Sequence, residues 1–200
     1  RFNAGAEDRQ QTVGLVYDNR LTENQSLQLR GFSSFRDFNN RLPFPGRSQV
    51  EFDRVFGGGG ALYSLEHGWG PTDNRILVGL DGGIQQDDRQ RYIGLPGGVR
   101  GPLRVNQVET VSNIAVFVRD ELSITDRLTL TAGARYDRIT FDLEDDYLSD
   151  GDQSGDQTLE EVSPSAGVTY EVSRAFIPFA NVATSFETPT TTEFARCSGG

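Results

Sequence analysis

Apolar and polar residues alternate along most of this chain with a period of two. The clearest run is residues 127–138, RLTLTAGARYDR. There Leu128, Leu130, Ala132, Ala134 and Tyr136 share one side, and Thr129, Thr131, Gly133, Arg135 and Asp137 share the other. Successive side chains of a β-strand point to opposite faces, so this run predicts a strand with one wet face. Residues 162–172 repeat the pattern, with Val162, Pro164, Ala166, Val168, Tyr170 and Val172 against Ser163, Ser165, Gly167, Thr169 and Glu171. Residues 76–84 set Ile76, Val78, Leu80, Gly82 and Ile84 against Gly79, Asp81 and Gly83. Near the end, Phe176, Pro178, Ala180, Val182 and Phe186 oppose Asn181, Ser185 and Glu187.

The pattern predicts about eight strands, over residues 11–18, 26–38, 50–66, 75–92, 107–122, 127–143, 161–172 and 175–187. Between them short connections (NRLTENQ, HGWGPTDN, SITD, SRA) alternate with long ones (NNRLPFPGRSQ, IGLPGGVRGPLRVN, EDDYLSDGDQSGDQTLE, and the stretch from TPTTTEF). Sorting turns by length onto two ends is the habit of a transmembrane β-barrel, which has short turns on one side of the membrane and long loops on the other. The strands also exceed the ~5–6 residues usual in globular sheets and reach the ~9–11 that a tilted spanning strand uses. A soluble β-sandwich alternates too, so the pattern alone leaves both architectures open.

Composition changes the picture little. A mean hydropathy of -0.47 looks soluble, but a barrel strand needs only every second residue apolar and scarcely registers on that scale. All 19 basic residues are arginine, and the net charge is -10. An acidic chain without a basic cluster argues against nucleic acid. Cys197 is the single cysteine and has no partner for an internal disulfide. The first residues, RFNAGAEDRQ, have no apolar core of the signal-peptide kind, so the sequence is expected to be a mature or excised piece.

The stretch NIAVFVRDELSITDRLTLTAGARYDRITFD, residues 113–142, resembles the paired-strand segment of TonB-dependent outer-membrane receptors. In that family a strand F-x-x-D-x-(W/L) leads through T-D-R into L-T-x-x-x-G-x-R-Y-D. The matching positions here are Phe117, Asp120, Leu122, Thr125, Asp126, Arg127, Leu128, Thr129, Gly133, Arg135, Tyr136 and Asp137. A second family signature, Y-x-N-x-(A/S)-x-x-F-x-x-P-T-x-x-E, is carried by Phe179, Asn181, Ala183, Phe186, Pro189, Thr190 and Glu193, with phenylalanine where tyrosine is commonest. The resemblance implies an all-β fold, an antiparallel transmembrane β-barrel segment contributing about eight strands to a barrel of about 22. It also implies residence in the outer membrane of a Gram-negative bacterium, contact with outer-membrane lipid, and uptake of an iron-siderophore or similar scarce nutrient. Such receptors are driven by TonB through an N-terminal plug domain, which is expected to be missing from residues 1–200, as are the remaining strands.

Candidate chemistry is sparse. His67 is the only histidine and lies with Gly68, Trp69 and Gly70 at an expected turn, so a nucleophilic triad is not expected; Trp69 suits an aromatic girdle at the membrane interface. The GGGG of residues 57–60 matches no phosphate or dinucleotide loop, predicts no cofactor, and reads as a kink or a close backbone approach. Asp150, Asp152, Ser154, Gly155 and Glu161 fall at positions 1, 3, 5, 6 and 12 of a calcium loop, although Gln157 stands where an apolar residue belongs. A solvated acidic loop is the plainer reading, and no metal is assigned. For ligand capture the expected residues are Phe44, Arg47, Arg91, Tyr92, Arg100 and Arg104, because the arginine fork grips carboxylates and catecholates. Pairing of these arginines with lumen acids such as Asp87 and Asp88 competes with that role. Two alternatives to the receptor reading stay open: a self-contained eight-stranded structural or adhesive barrel, and a soluble calcium-binding β-domain.

Overall fold

The computed structural model describes residues 4–42, 48–69 and 72–188. Phe44, Arg47, Pro189, Thr190, Glu193 and Cys197 lie outside the described residues, as does the side chain of Trp69. Eight strands follow one another in space as they do in sequence: β1 (Gly5–Thr22), β2 (Gln25–Arg41), β3 (Ser48–Trp69), β4 (Thr72–Leu95), β5 (Val99–Thr125), β6 (Leu128–Asp145), β7 (Gly155–Tyr170) and β8 (Phe179–Ala183). Every neighbouring pair is antiparallel. Among the described residues β1 pairs only with β2 and β8 only with β7, so these strands form an open wall and not a closed eight-stranded barrel.

Residues directly opposite each other across a ladder share a face. The register therefore collects Val13, Leu15, Leu29, Phe35, Val55, Val78, Leu80, Ile114, Val116, Leu130, Val162 and Val168 on one surface, all of them exposed. Ala132, Ala134 and Tyr170 share that side, as the alternation predicts. The opposite surface carries Arg36, Arg54, Asp87, Arg89, Glu109, Arg135 and Asp137, and it holds the buried Ser34, Ser64, Asp87, Glu109, Ala115, Phe141 and Leu143. Side chains crowd on the inner side of a curled sheet and splay apart on the outer, so the polar face is the concave one.

The register also gives the strand slope. A row drawn across the ladder from Leu15, at the middle of the apolar band on β1, passes Gly31, Gly59, Gly82 and Ile114 and reaches Arg138 on β6. Arg138 stands about six residues beyond Ala132, the middle of the apolar stretch on β6. Six residues of ~3.3 Å rise over about five interstrand spacings of ~4.8 Å give a slope of roughly 40° between strands and band normal. That is the tilt a transmembrane barrel adopts.

The connections depart from expectation in instructive ways. Residues 93–106 are not a loop; β4 and β5 run on to 24 and 27 residues and close through Pro96, Gly97 and Gly98. Gly97 and Gly98 have φ of 80° and 74°, and Gly98 N–H donates to Leu95 O at 3.2 Å, the Pro-Gly order of a type II turn. Register shifts at Arg91/Tyr92 and Tyr92/Gly94 mark the foot of this arm. The acidic connection is likewise shorter than expected, because β7 begins at Gly155. Within it Asp145 accepts from the N–H groups of Tyr147 at 2.9 Å and Gln153 at 3.1 Å, and Leu148–Asp150 form a single 3-10 turn. Hydrogen bonding from Ser154, first its hydroxyl and then its backbone N–H, holds the Asp152 carboxyl below the usual range.

On the other end the T-D-R connection is an ST-type turn, with Thr125 Oγ1 accepting from Arg127 N–H at 3.2 Å and Leu128 N–H at 3.0 Å. The last strand is shorter than predicted, ending at Ala183. Thr184 N–H donates to Pro164 O at 3.1 Å, but Pro164 has no N–H to return, and the ladder stops there. The glycine run 57–60 sits in unbroken register on both sides, so the expected kink is absent.

The arm turn is the point of tightest backbone constraint. Gly97→Ala should destabilise it by about 1 kcal/mol or more, since an L side chain is strained at that positive φ. Gly31→Ala, whose Cβ would meet nothing nearer than 3.8 Å, should change little. Protease cleavage rates between Leu95 and Val99 in the full-length protein distinguish the two.

Candidate functional site

The concave face organises its charges into belts, and small residues make this possible. Arg30 on β2 bonds Asp81 on β4 at 2.5 Å, passing over Gly60 of the intervening β3. A Cβ at Gly60 would collide with Asp81 Oδ1 and lie only 3.1 Å from Arg30 Nε. Arg135 on β6 reaches the same Asp81 at 3.3 Å across β5, where fully buried Ala115 stands, and holds Asp137 at 2.9 Å. Gly79 serves a related purpose: the Phe117 ring lies directly over it, in the space a Cβ would take, and Arg135 sits 5.6 Å above that ring. Gly60 of the run thus admits neighbouring side chains, where the expectation was a kink or a close approach of backbone.

A second belt lies nearer the arm. Arg54 grips Asp87 with both nitrogens, at 2.7 and 2.6 Å, and Arg89 approaches Asp87 at 3.5 Å and Glu109 at 3.0 Å. Asp87 is fully buried. Asp8 receives Arg36 in the same bidentate fashion at 2.9 and 2.7 Å. Arg36, Arg54 and Arg89 surround the Phe52 ring at 5.5, 5.1 and 5.4 Å, and Phe38 stacks on it at 4.8 Å. Each arginine in this cluster already has an acid, so the belt is a neutral structural girdle. Asp88, expected beside Asp87 in the lumen, is instead on the opposite face, because adjacent strand residues alternate.

Of the residues expected to capture ligand, the structure brings Arg100 and Tyr92 together, on the face of the sheet that is convex and apolar farther down, and it puts Arg91 on the other face. Arg100 lies over the Tyr92 ring at 4.1 Å and pairs with Glu51 of β3. Tyr92 hydroxyl donates to Gln90 Oε1 at 2.5 Å, and Asn39 Nδ2 donates to Glu51 Oε1 at 2.7 Å. Arg100 remains about half exposed, at 48%, so its guanidinium can reach a second anion. Arg91 stands on the polar face, opposite Val50 and Val105. Arg104 is exposed at the register shift between Leu103 and Val105. The sequence pattern does not single out Glu51, Asn39 or the arm itself; the signal it does hold is the Pro-Gly-Gly turn centred between two runs of similar length.

The calcium-loop positions do not converge. Asp150 ends the 3-10 turn, Asp152 is engaged with Ser154 at 2.9 Å, and Glu161 is on β7 opposite Asp137. Among the described residues no three His, Cys, Asp or Glu side chains are placed to hold a metal ion.

Comparison with known proteins matches these features. The sequence profile of the family described as TonB dependent receptor-like, beta-barrel, aligns with residues 1–197. Among solved structures, the ferric citrate transporter FecA in its unliganded form superimposes with a TM-score of 0.80 at 16% identity, covering 88% of this chain and 27% of that one. The ferric preacinetobactin receptor BauA of Acinetobacter baumannii gives 0.74 at 12% identity, covering 90% and 31%. The ferric-catecholate import receptor Fiu of E. coli K12, open form, gives 0.71 at 12% identity, covering 92% and 36%. The chain therefore spans about a third or less of the length of the first two.

Asp87 is the keystone of the girdle. Asp87→Ala should cost about 1.5–3 kcal/mol, the scale of a lost hydrogen bond to a charged group, because Arg54 loses its bidentate acceptor while Arg89 keeps Glu109. Exposed Asp18→Ala should cost a small fraction of that. Urea unfolding of the full-length protein in detergent, compared between the two variants, measures the difference.

Proposed function

The chain belongs to the TonB dependent receptor-like β-barrel family, and on that premise we propose that it forms part of the wall of an outer-membrane receptor that imports an iron-siderophore complex. The family consists of receptors and transporters, not enzymes. The outer membrane of a Gram-negative bacterium is its setting. The convex apolar face is the lipid surface, and the concave charged face lines the lumen. Two open edges fit a larger barrel, since unpaired strand edges do not face lipid. In this reading residues 1–200 are barrel wall alone, and a plug domain elsewhere in the protein, moved by TonB, gates the lumen.

The observation that carries the substrate class is the cationic arm. β4 and β5 extend beyond the apolar band and present Tyr92 and half-exposed Arg100 on the end away from the short turns. Arg104 stands at its foot, and Arg91 is there on the other face of the sheet. Arginine beside an aromatic ring suits a planar anionic chelate, whether carboxylate or catecholate. Glu51 holds the Arg100 guanidinium in place until a ligand anion shares it.

The test is equilibrium binding to the purified full-length receptor. Ferric complexes of carboxylate and catecholate chelators should bind in preference to neutral saccharides. Arg100→Ala should weaken that binding by about tenfold or more, the scale of one charge-assisted hydrogen bond. Uptake of the bound complex by cells should be lost without TonB. Preference for a neutral ligand, or uptake that continues without TonB, would overturn the reading.

A further inference from the structure

The tip of the β4–β5 arm joins the rest of the wall through a weak seam. The ladder shifts at two successive places, so that Ile93 on β4 and Gly101, Pro102 and Arg104 on β5 have no partner in it. Pro102 has no N–H to offer a ladder in any case. On the other flank the β3–β4 ladder ends at Ser48 and Ile93. Residues 94–100 are therefore a short hairpin, closed on itself by the Gly94–Arg100 and Leu95–Val99 rungs, with no backbone ladder to β3.

Among the described residues, side chains tie this tip to β3, and they do so on the convex side. Gln49, the cross-strand partner of Tyr92, is 1% exposed beneath the tip and donates from Nε2 to Gly98 O at 3.3 Å. Arg100 lies on the Tyr92 ring and pairs with Glu51, whose Oε1 also accepts from Asn39 at 2.7 Å. Arg91, two ladder positions below the tip, is on the concave face. The two arginines expected to share an anion thus point to opposite sides of the wall. A rotation of the tip about its seam puts Arg100 on the side where Arg91 stands.

We propose that residues 94–100 are a strap, hinged at the seam and parked on the convex side by Gln49 and Glu51, which swings over the lumen mouth when an anionic ligand takes Arg100 from Glu51. The latch is one partly exposed ion pair and one side-chain hydrogen bond to backbone, contacts that each shift an equilibrium by about two- to tenfold. A ligand moves the strap only by binding the swung form better. That form offers it Arg100 and Arg91 together. Conversely, any change that raises the swung population tightens the ligand by the same factor. The inference rests on the receptor reading above, in which Arg100 captures the ligand.

The experiment uses the full-length receptor in detergent, its native cysteines replaced, with nitroxide labels at Val99→Cys on the tip and Val55→Cys on the convex band of β3, both exposed positions. Pulsed electron paramagnetic resonance reads the separation of the labels. Gallium(III) citrate and gallium(III) tris-catecholate are the diamagnetic probes. The receptor without probe should show one separation, and saturation with a complex that binds should move it to a second. Glu51→Gln and Gln49→Ala should each raise the second population without any probe by about two- to tenfold, and should tighten probe binding by the same factor. Heat-modifiable gel mobility confirms folding; should Gln49→Ala not fold, the isosteric Glu51→Gln carries the comparison. A separation unmoved by bound probe or by the folded variants, or a strap released without tighter binding, overturns the proposal. If neither complex binds the unaltered receptor while the variants still release the strap, the siderophore reading falls and the latch stands.

Discussion

The strand period of two, locked by cross-strand register, is the constraint from which the rest of this structure follows. Each side chain has one of two surfaces to occupy, and adjacent strands must agree about which. Leu130 faces outward because it pairs with Leu122 and Val168; Arg135 faces inward because it pairs with Phe117 and Ser163. Changing that assignment for one strand would send its charges into the apolar band and its apolar residues into the lumen. The wall separates two environments because no strand can slip alone.

Charge pairing on the inner face depends on what the intervening strand leaves out. Arg30 and Asp81 are two strands apart, and so are Asp81 and Arg135. Gly60 and Ala115 occupy the positions between them. A large side chain at either place would force each charge to find a partner on its own neighbour or none. Asp81 therefore ties β2, β4 and β6 into one unit by ion pairs, in addition to the backbone ladder that joins adjacent strands. The girdle around Phe52 does the same for β1 to β5 through Asp8, Arg36, Arg54, Asp87, Arg89 and Glu109. Partly screened pairs such as these stabilise modestly one at a time, but fully buried Asp87 has no solvent to fall back on.

The strand count, the antiparallel order and the facing of most residues are legible in the sequence, because sustained alternation is imposed by a strand with one wet face and by no helix or coil. What the sequence hides are features set by tertiary pairing. Proline and glycine from Pro96 to Pro102 suggest a loop, yet Leu95 pairs Val99 and Gly94 pairs Arg100, and the arm is strand almost to its tip. Asp88 suggests a lumen acid beside Asp87, although the period that identifies the strand also sends these two to opposite faces. The glycine run suggests a kink, whereas its role emerges only once Arg30 and Asp81, fifty-one residues apart, are seen to meet above it. At the candidate site, Arg100 and Tyr92 are legible as residue types, and Glu51, which orients Arg100, is not.

Glycine has different consequences on the two faces. On the inner side Gly58, Gly60, Gly79 and Gly83 are covered by Phe32, Arg30, Phe117, Asn113 and Phe56, so the absent side chains are replaced by those of neighbours. On the outer side Gly31, Gly59 and Gly82 share one row, and the atoms nearest their missing Cβ positions are backbone. The ladder is bare there. In water such a row would leave its backbone hydrogen bonds open to competition, but against hydrocarbon nothing competes for them, and each bond is correspondingly stronger. In the proposed membrane wall the outer row can therefore dispense with side-chain cover that the inner row supplies, and the wall is thin on its convex side and thick on its concave side, where the ion pairs are held in register.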